Sequence, residues 1–136
     1  MKNLALSSLS SIIILLFVFA CRDPKPVDSS KLVERGGLVY YNRADTPFSG
    51  KGVKYWPTGE IQVKATFEDG ILVQSLFLDM DGSLLESTEV IRDTIISSEW
   101  FSNGEKRWES KTVAGNNIYI NRWNEDGSKG EELFNY

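Results

Sequence analysis

The chain has 136 residues, a formal charge of −4 at neutral pH, one cysteine and no histidine. With no imidazole there is no Ser-His-Asp or Cys-His centre and no histidine metal ligand. Residues 22–136 carry 14 basic and 19 acidic side chains, interspersed, which argues against the concentrated basic face that nucleic acid requires.

Residues 1–20 read as an export signal. Lys2 is the sole charge before Arg22, and Ile12-Ile13-Ile14-Leu15-Leu16-Phe17-Val18-Phe19-Ala20 is an unbroken apolar run ending on a small residue. The run is short for a membrane-spanning helix, which needs about 20 apolar residues. Val18-Phe19-Ala20-Cys21 resembles the bacterial lipobox, with Cys21 as the lipid-accepting thiol. The resemblance implies a mature protein that starts at Cys21 and is anchored to a membrane through acyl chains. Each buried methylene contributes about 0.8 kcal/mol, so one chain holds marginally and several hold permanently. Arg22 after the cysteine, by resemblance to enteric sorting rules, favours the outer membrane. With Cys21 lipidated, no disulfide forms within the chain. Residues 21–31 (CRDPKPVDSSK) are polar, contain Pro24 and Pro26, and read as a tether. The remaining domain is expected over residues 32–136.

Within that domain Gly37, Gly59, Gly82, Gly104 and Gly127 recur at intervals of 22, 23, 22 and 23 residues. Gly59, Gly82, Gly104 and Gly127 follow Thr58, Asp81, Asn103 and Asp126, and Asn-Gly and Asp-Gly are strong hairpin signals. A second punctuation falls eleven residues after successive glycines, at Asp69-Gly70, Arg92-Asp93 and Ala114-Gly115. Turns at this spacing predict short antiparallel strands. Ile61, Val63, Ala65 and Phe67 alternate with polar residues, the period-two pattern of a strand with one apolar face. Leu84-Leu85 and Ile95-Ile96 break the alternation and leave register open there. Tyr55, Leu78, Trp100 and Trp123 each stand four residues before a repeat glycine and are expected to form a core column on one face. Glu131-Glu132-Leu133-Phe134-Asn135-Tyr136 reads as a terminal strand whose charges discourage edge pairing.

The segment Pro47-Phe48-Ser49-Gly50-Lys51-Gly52-Val53-Lys54-Tyr55-Trp56-Pro57-Thr58-Gly59-Glu60, followed by Phe67-Glu68-Asp69-Gly70, resembles the MORN-variant repeat of the YwqK-type antitoxin-like family. The pattern returns at Glu99-Trp100-Phe101-Ser102-Asn103-Gly104-Glu105-Lys106 and, more faintly, at Arg122-Trp123-Asn124-Glu125-Asp126-Gly127. The resemblance implies an all-β, elongated antiparallel sheet of about four β-hairpin repeats. One hairpin cannot bury its own apolar face, so about three stacked repeats are needed for stability.

The candidate chemistry is sparse. Asp79-Met80-Asp81-Gly82-Ser83-Leu84-Leu85-Glu86 looks like a calcium loop, but aligning Gly82 on that loop's glycine puts Phe77 and Thr88 at the terminal ligand positions, where both fail. No metal site and no cofactor are expected. Glu60, Glu99 and Glu109 are the carboxylates a glycan hydrolase would need, and read better as solvated surface charge. Trp56 and Trp108 fall outside the aromatic column and are the candidate binding surface. The expected function is a non-catalytic, lipid-anchored envelope module with a protein or envelope polymer as partner. The alternatives are a toxin neutraliser of antitoxin or immunity type and a carboxylate-dependent envelope glycan enzyme.

Overall fold

The computed structural model describes residues 24–130. The signal segment 1–20, Cys21 and the expected strand over 131–136 lie outside the described residues. The chain forms β1 (Val27–Asp28), a 3-10 turn (Ser29–Lys31), β2 (Leu32–Arg35), β3 (Leu38–Tyr41), β4 (Gly50–Tyr55), β5 (Ile61–Glu68) and β6 (Ile71–Leu78). It continues through β7 (Leu84–Ile91), β8 (Thr94–Trp100), β9 (Lys106–Val113) and β10 (Asn116–Arg122). The eight-stranded sheet runs β1-β4-β5-β6-β7-β8-β9-β10, and β2 and β3 form a separate two-stranded ribbon. The all-β reading is borne out: from β4 to β10 every strand pairs antiparallel with its neighbour in sequence.

The repeat glycines close one kind of turn. In the turn Trp56–Glu60, the Trp56 N–H donates to the Glu60 carbonyl at 2.8 Å and the Gly59 N–H to the Trp56 carbonyl at 3.0 Å. The same two bonds recur at Asp79–Ser83, Phe101–Glu105 and Asn124–Ser128. Gly59, Gly82, Gly104 and Gly127 take φ between 79° and 106°, as a three-residue hairpin loop ending in a left-handed residue requires. Next to each of the first three turns the register shifts by one residue, leaving Gln62, Leu85 and Arg107 unmatched. These bulges settle the adjacent apolar pair Leu84-Leu85: Leu84 faces Leu78, and Leu85 is the extra residue. Ile95-Ile96 lies in unbroken register, so its two side chains point to opposite faces.

Two expectations are corrected. The tether was expected to run to Lys31, yet Val27 and Asp28 pair in parallel with Gly52 and Val53 on β4, so ordered structure begins earlier. The Asp28 carboxylate accepts the Ser30 N–H at 2.8 Å and starts the 3-10 turn, which explains a local Asp-Ser-Ser motif that reads as solvated linker. Gly37 is not a fifth copy of the repeat turn. Gly36 and Gly37, at φ 61° and 81°, form the tight turn of the β2–β3 ribbon outside the main sheet.

That ribbon is clasped to the sheet by backbone. Val39 N–H donates to Gly70 O at 2.9 Å, Gly70 N–H to Phe48 O at 2.8 Å, and Phe48 N–H to Val39 O at 2.8 Å. The Phe48 and Phe67 rings meet at 5.9 Å. Leu32 lies against Gly52, where a Cβ would approach it to 3.0 Å. Directly opposed residues in an antiparallel ladder share a face. The register therefore puts Gly52, Val63, Phe67, Phe77, Glu86, Glu99, Trp108 and Arg122 on the face partly covered by the ribbon, called here the ribbon face. Tyr55, Leu76, Leu78, Ser98, Trp100, Lys106 and Glu109 lie on the other, open face.

The sheet is a single layer over most of its width. Among the described residues Val53, at 5 % exposure, is the sole buried hydrophobic. Stability must come from ladder hydrogen bonds and cross-strand side-chain pairs rather than from a two-layer core.

Candidate binding surface

The aromatic column shares the open face as its spacing implies, but it is not a core. Tyr55 is 46 % exposed, and Leu78, Trp100 and Trp123 are half-buried. A column of this kind is buried only where a second layer covers it, and repeat spacing carries no information about a second layer. At one end the column is polar. Lys106 faces Trp100 across β8 and β9, and its Nζ lies 5.7 Å from the ring centres of both Trp100 and Trp123. The same ammonium donates to Glu109 Oε2 at 2.5 Å. Tyr119 Oη donates to Glu109 Oε1 at 3.1 Å, and Ser98 Oγ, in a residue only 6 % exposed, donates to Oε2 at 3.4 Å. The bulge at Arg107 brings Lys106 and Glu109, three residues apart, onto one face.

These donors, the Lys106 ammonium first, hold the Glu109 carboxyl below its usual value of 4.5 against the opposing effect of burial. Burial, followed by the hydrogen bond to Glu109, pushes the Tyr119 phenol up. The sign for Glu109 follows from proton linkage. A carboxyl with a depressed folded value stabilises the fold above the unfolded value and loses that contribution as pH falls through the folded one. Glu109→Gln should therefore lower stability at neutral pH, by about 1–2 kcal/mol for a partly exposed charged hydrogen-bond centre. The gap to wild type should narrow below pH 4.5. Urea unfolding of both proteins across that range measures this, and a gap that is constant with pH would refute it.

The two candidate tryptophans separate. Trp56 meets Phe77 edge-on at 5.9 Å, and its Nε1–H donates to the Leu78 carbonyl at 3.2 Å. It is a strut between the first two repeats. Trp108 sits on the ribbon face, opposed by Glu99 on one side and Arg122 on the other. It lines a shallow depression of about 500 Å³ with Glu99, Phe101, Arg107, Arg122 and Asn124. Arg107 Nη1 lies 3.8 Å from Glu99 Oε2, and its guanidinium stands 5.7 Å over the Phe101 ring. Among the described residues no ion pair or hydrogen bond engages the Arg122 guanidinium; its carbonyl accepts the Gly130 N–H at 2.8 Å. Phe101, Arg107 and Arg122 were not singled out in the sequence. The signal that locates Arg122 and Glu99 is register, one strand to either side of Trp108.

The candidate carboxylates are not brought together. Glu60 closes the first repeat turn, Glu99 is on the ribbon face and Glu109 on the open face. Glu99 and Glu109 therefore cannot flank one substrate bond. Glu99 is instead opposed by Glu86, a like-charge pair that Arg107 offsets. Asp81 accepts the Ser83 N–H and hydroxyl at 2.8 and 2.6 Å, the contacts of a turn rather than of a calcium loop. Among the described residues no three His, Cys, Asp or Glu side chains gather to hold a metal, and no helix is long and apolar enough to cross a membrane.

By architecture the described residues form an open hairpin-repeat sheet with one aromatic, mixed-charge depression near an end. No family model matches the chain, and neither a curated protein nor a solved structure matches it.

Proposed function

We propose that this protein is a non-catalytic, lipid-anchored module of the bacterial envelope, of MORN-variant type, which binds a partner in the Trp108 depression. The observation that carries the reading is the position of that depression. The described chain enters the sheet at β1, beside the Asp69-Gly70 end of β4 and β5. The depression lies at the opposite strand ends, next to the Phe101–Glu105 and Asn124–Ser128 turns, and near the opposite edge of the sheet. At ~4.8 Å per strand and ~3.3 Å per residue the two are roughly 30 Å apart. Anchored through Cys21 in the outer membrane, such a sheet would carry its depression at the edge opposite the one where the tether joins it.

The test is cross-linking in intact cells followed by recovery of the tagged protein, with Cys21→Ala and Trp108→Ala versions alongside. The expected result is one enriched envelope component that is lost in Trp108→Ala. Cys21→Ala should leave the membrane fraction. Retention of Cys21→Ala in the membrane would overturn the anchor, and partner capture indifferent to Trp108 would overturn the site.

A further inference from the structure

We infer that the Trp108 depression is a binding site for a glycan bearing ring carboxylates, of the hexuronate class. The inference rests on the binding-module reading above and narrows it to a ligand chemistry.

Three features of the lining carry it. First, its apolar lining on this face is aromatic, Phe101 and Trp108, with no aliphatic side chain. A sugar ring needs a flat π surface for its C–H bonds and polar groups at its rim, and this lining supplies both. Second, the rim is built of planar polar groups: Glu99 can accept from vicinal hydroxyls, Asn124 can donate to and accept from them, and Arg107 and Arg122 can donate in pairs to hydroxyls or to a carboxylate. Third, the charge is locally reversed. In a chain of net charge −4 the lining holds two arginines against one glutamate. Glu99 and Arg107 answer each other at 3.8 Å, which leaves the Arg122 guanidinium as the positive group facing a ligand.

The register sets the order of contacts. Glu99, Trp108 and Arg122 occupy three successive strands in one cross-strand row on the ribbon face. A ring stacked on the Trp108 indole has the Glu99 carboxylate at one edge, accepting from hydroxyls, and the Arg122 fork at the other. A carboxylate placed at the Arg122 edge takes a bidentate, charge-assisted pair, and the same carboxylate beside Glu99 is repelled. The site therefore selects both charge and orientation.

The probe is trigalacturonate, with fully methyl-esterified trigalacturonate as a neutral ligand of the same ring stereochemistry. Both are titrated calorimetrically into the full-length protein in detergent at low salt. Saturable binding of the acid is expected, weakened at least about tenfold for the ester, which has no carboxylate to charge-pair. Arg122→Gln should reduce the acid to the level of the ester and leave the ester unchanged. Trp108→Ala should weaken both, and Trp108→Phe should restore part of the loss. Far-UV circular dichroism of each variant separates lost binding from lost fold. Equal binding of acid and ester overturns the carboxylate preference. No binding of either overturns the glycan assignment. If Trp108-dependent capture of an envelope protein persists in cells while both sugars fail, the binding module stands and its ligand is a protein.

Discussion

Gly70→Ala is expected to cost about 2–4 kcal/mol of stability, the largest effect of any single methyl group added to this sheet. Gly70 sits at φ 80°, and its Cβ would meet Leu38 Cβ, Pro47 Cβ and the Val39 carbonyl, each at 3.0 Å. Two of the three contacts are to atoms next to backbone and one is to backbone itself, so none yields by a rotamer change. The same residue supplies both ends of the clasp that fixes the β2–β3 ribbon to the sheet. Gly82→Ala is the control: its φ is 86°, but nothing lies within 4 Å of the new Cβ, so it should cost only the left-handed strain of about 1–2 kcal/mol. Urea midpoints of the two variants measure the difference. Hydrogen exchange at the Val39 amide should accelerate in Gly70→Ala and stay near wild type in Gly82→Ala. Equal midpoints would show that the ribbon tolerates being lifted from the sheet.

Trp56→Ala is expected to cost about 2–3 kcal/mol, less than the 3–5 of a fully buried tryptophan because the ring is half-buried. The substitution removes the edge-on contact with Phe77 and leaves the Leu78 carbonyl without its indole donor. In a single-layer sheet such a strut between repeats matters more than its burial alone indicates, since each repeat is supported mainly by its neighbours. Trp108→Ala, at a site opposed by Glu99 and Arg122, should change stability by about 1 kcal/mol and act chiefly on binding. Thermal unfolding of both variants beside the cross-linking assay separates the roles. A Trp56→Ala protein as stable as wild type, with binding lost, would return Trp56 to the ligand surface.

The two tryptophans show where the sequence stops being informative. Both stand outside the periodic column; Trp56 opens a repeat turn three residues before Gly59 and Trp108 follows Gly104 by four, but neither position says whether the ring packs on a neighbouring repeat. What separates them is a contact between side chains 21 residues apart, Trp56 on Phe77, formed because the first and second repeats are adjacent in the sheet. Glu99, Trp108 and Arg122 are likewise distant in the chain and adjacent in space. Their juxtaposition depends on the one-residue bulge at Arg107, which the adjacent polar and aromatic residues do not announce.

From β4 to β10 the succession of hairpins and the placement of their turns were legible in the sequence by itself, because they follow from local chemistry; the parallel pairing of β1 and the separate β2–β3 ribbon were not. A left-handed glycine after Asp, Asn or Thr every 22 or 23 residues makes one kind of turn, and consecutive hairpins leave little choice of topology. The tertiary structure alone decided which residues are buried, and it decided against a core. The aromatic column lies on one face as its period requires, yet Tyr55 remains 46 % exposed because among the described residues no second layer covers that face. Periodicity reports which side of a strand a residue occupies, whereas burial depends on what else packs there, and that is settled by contacts between segments far apart in the chain.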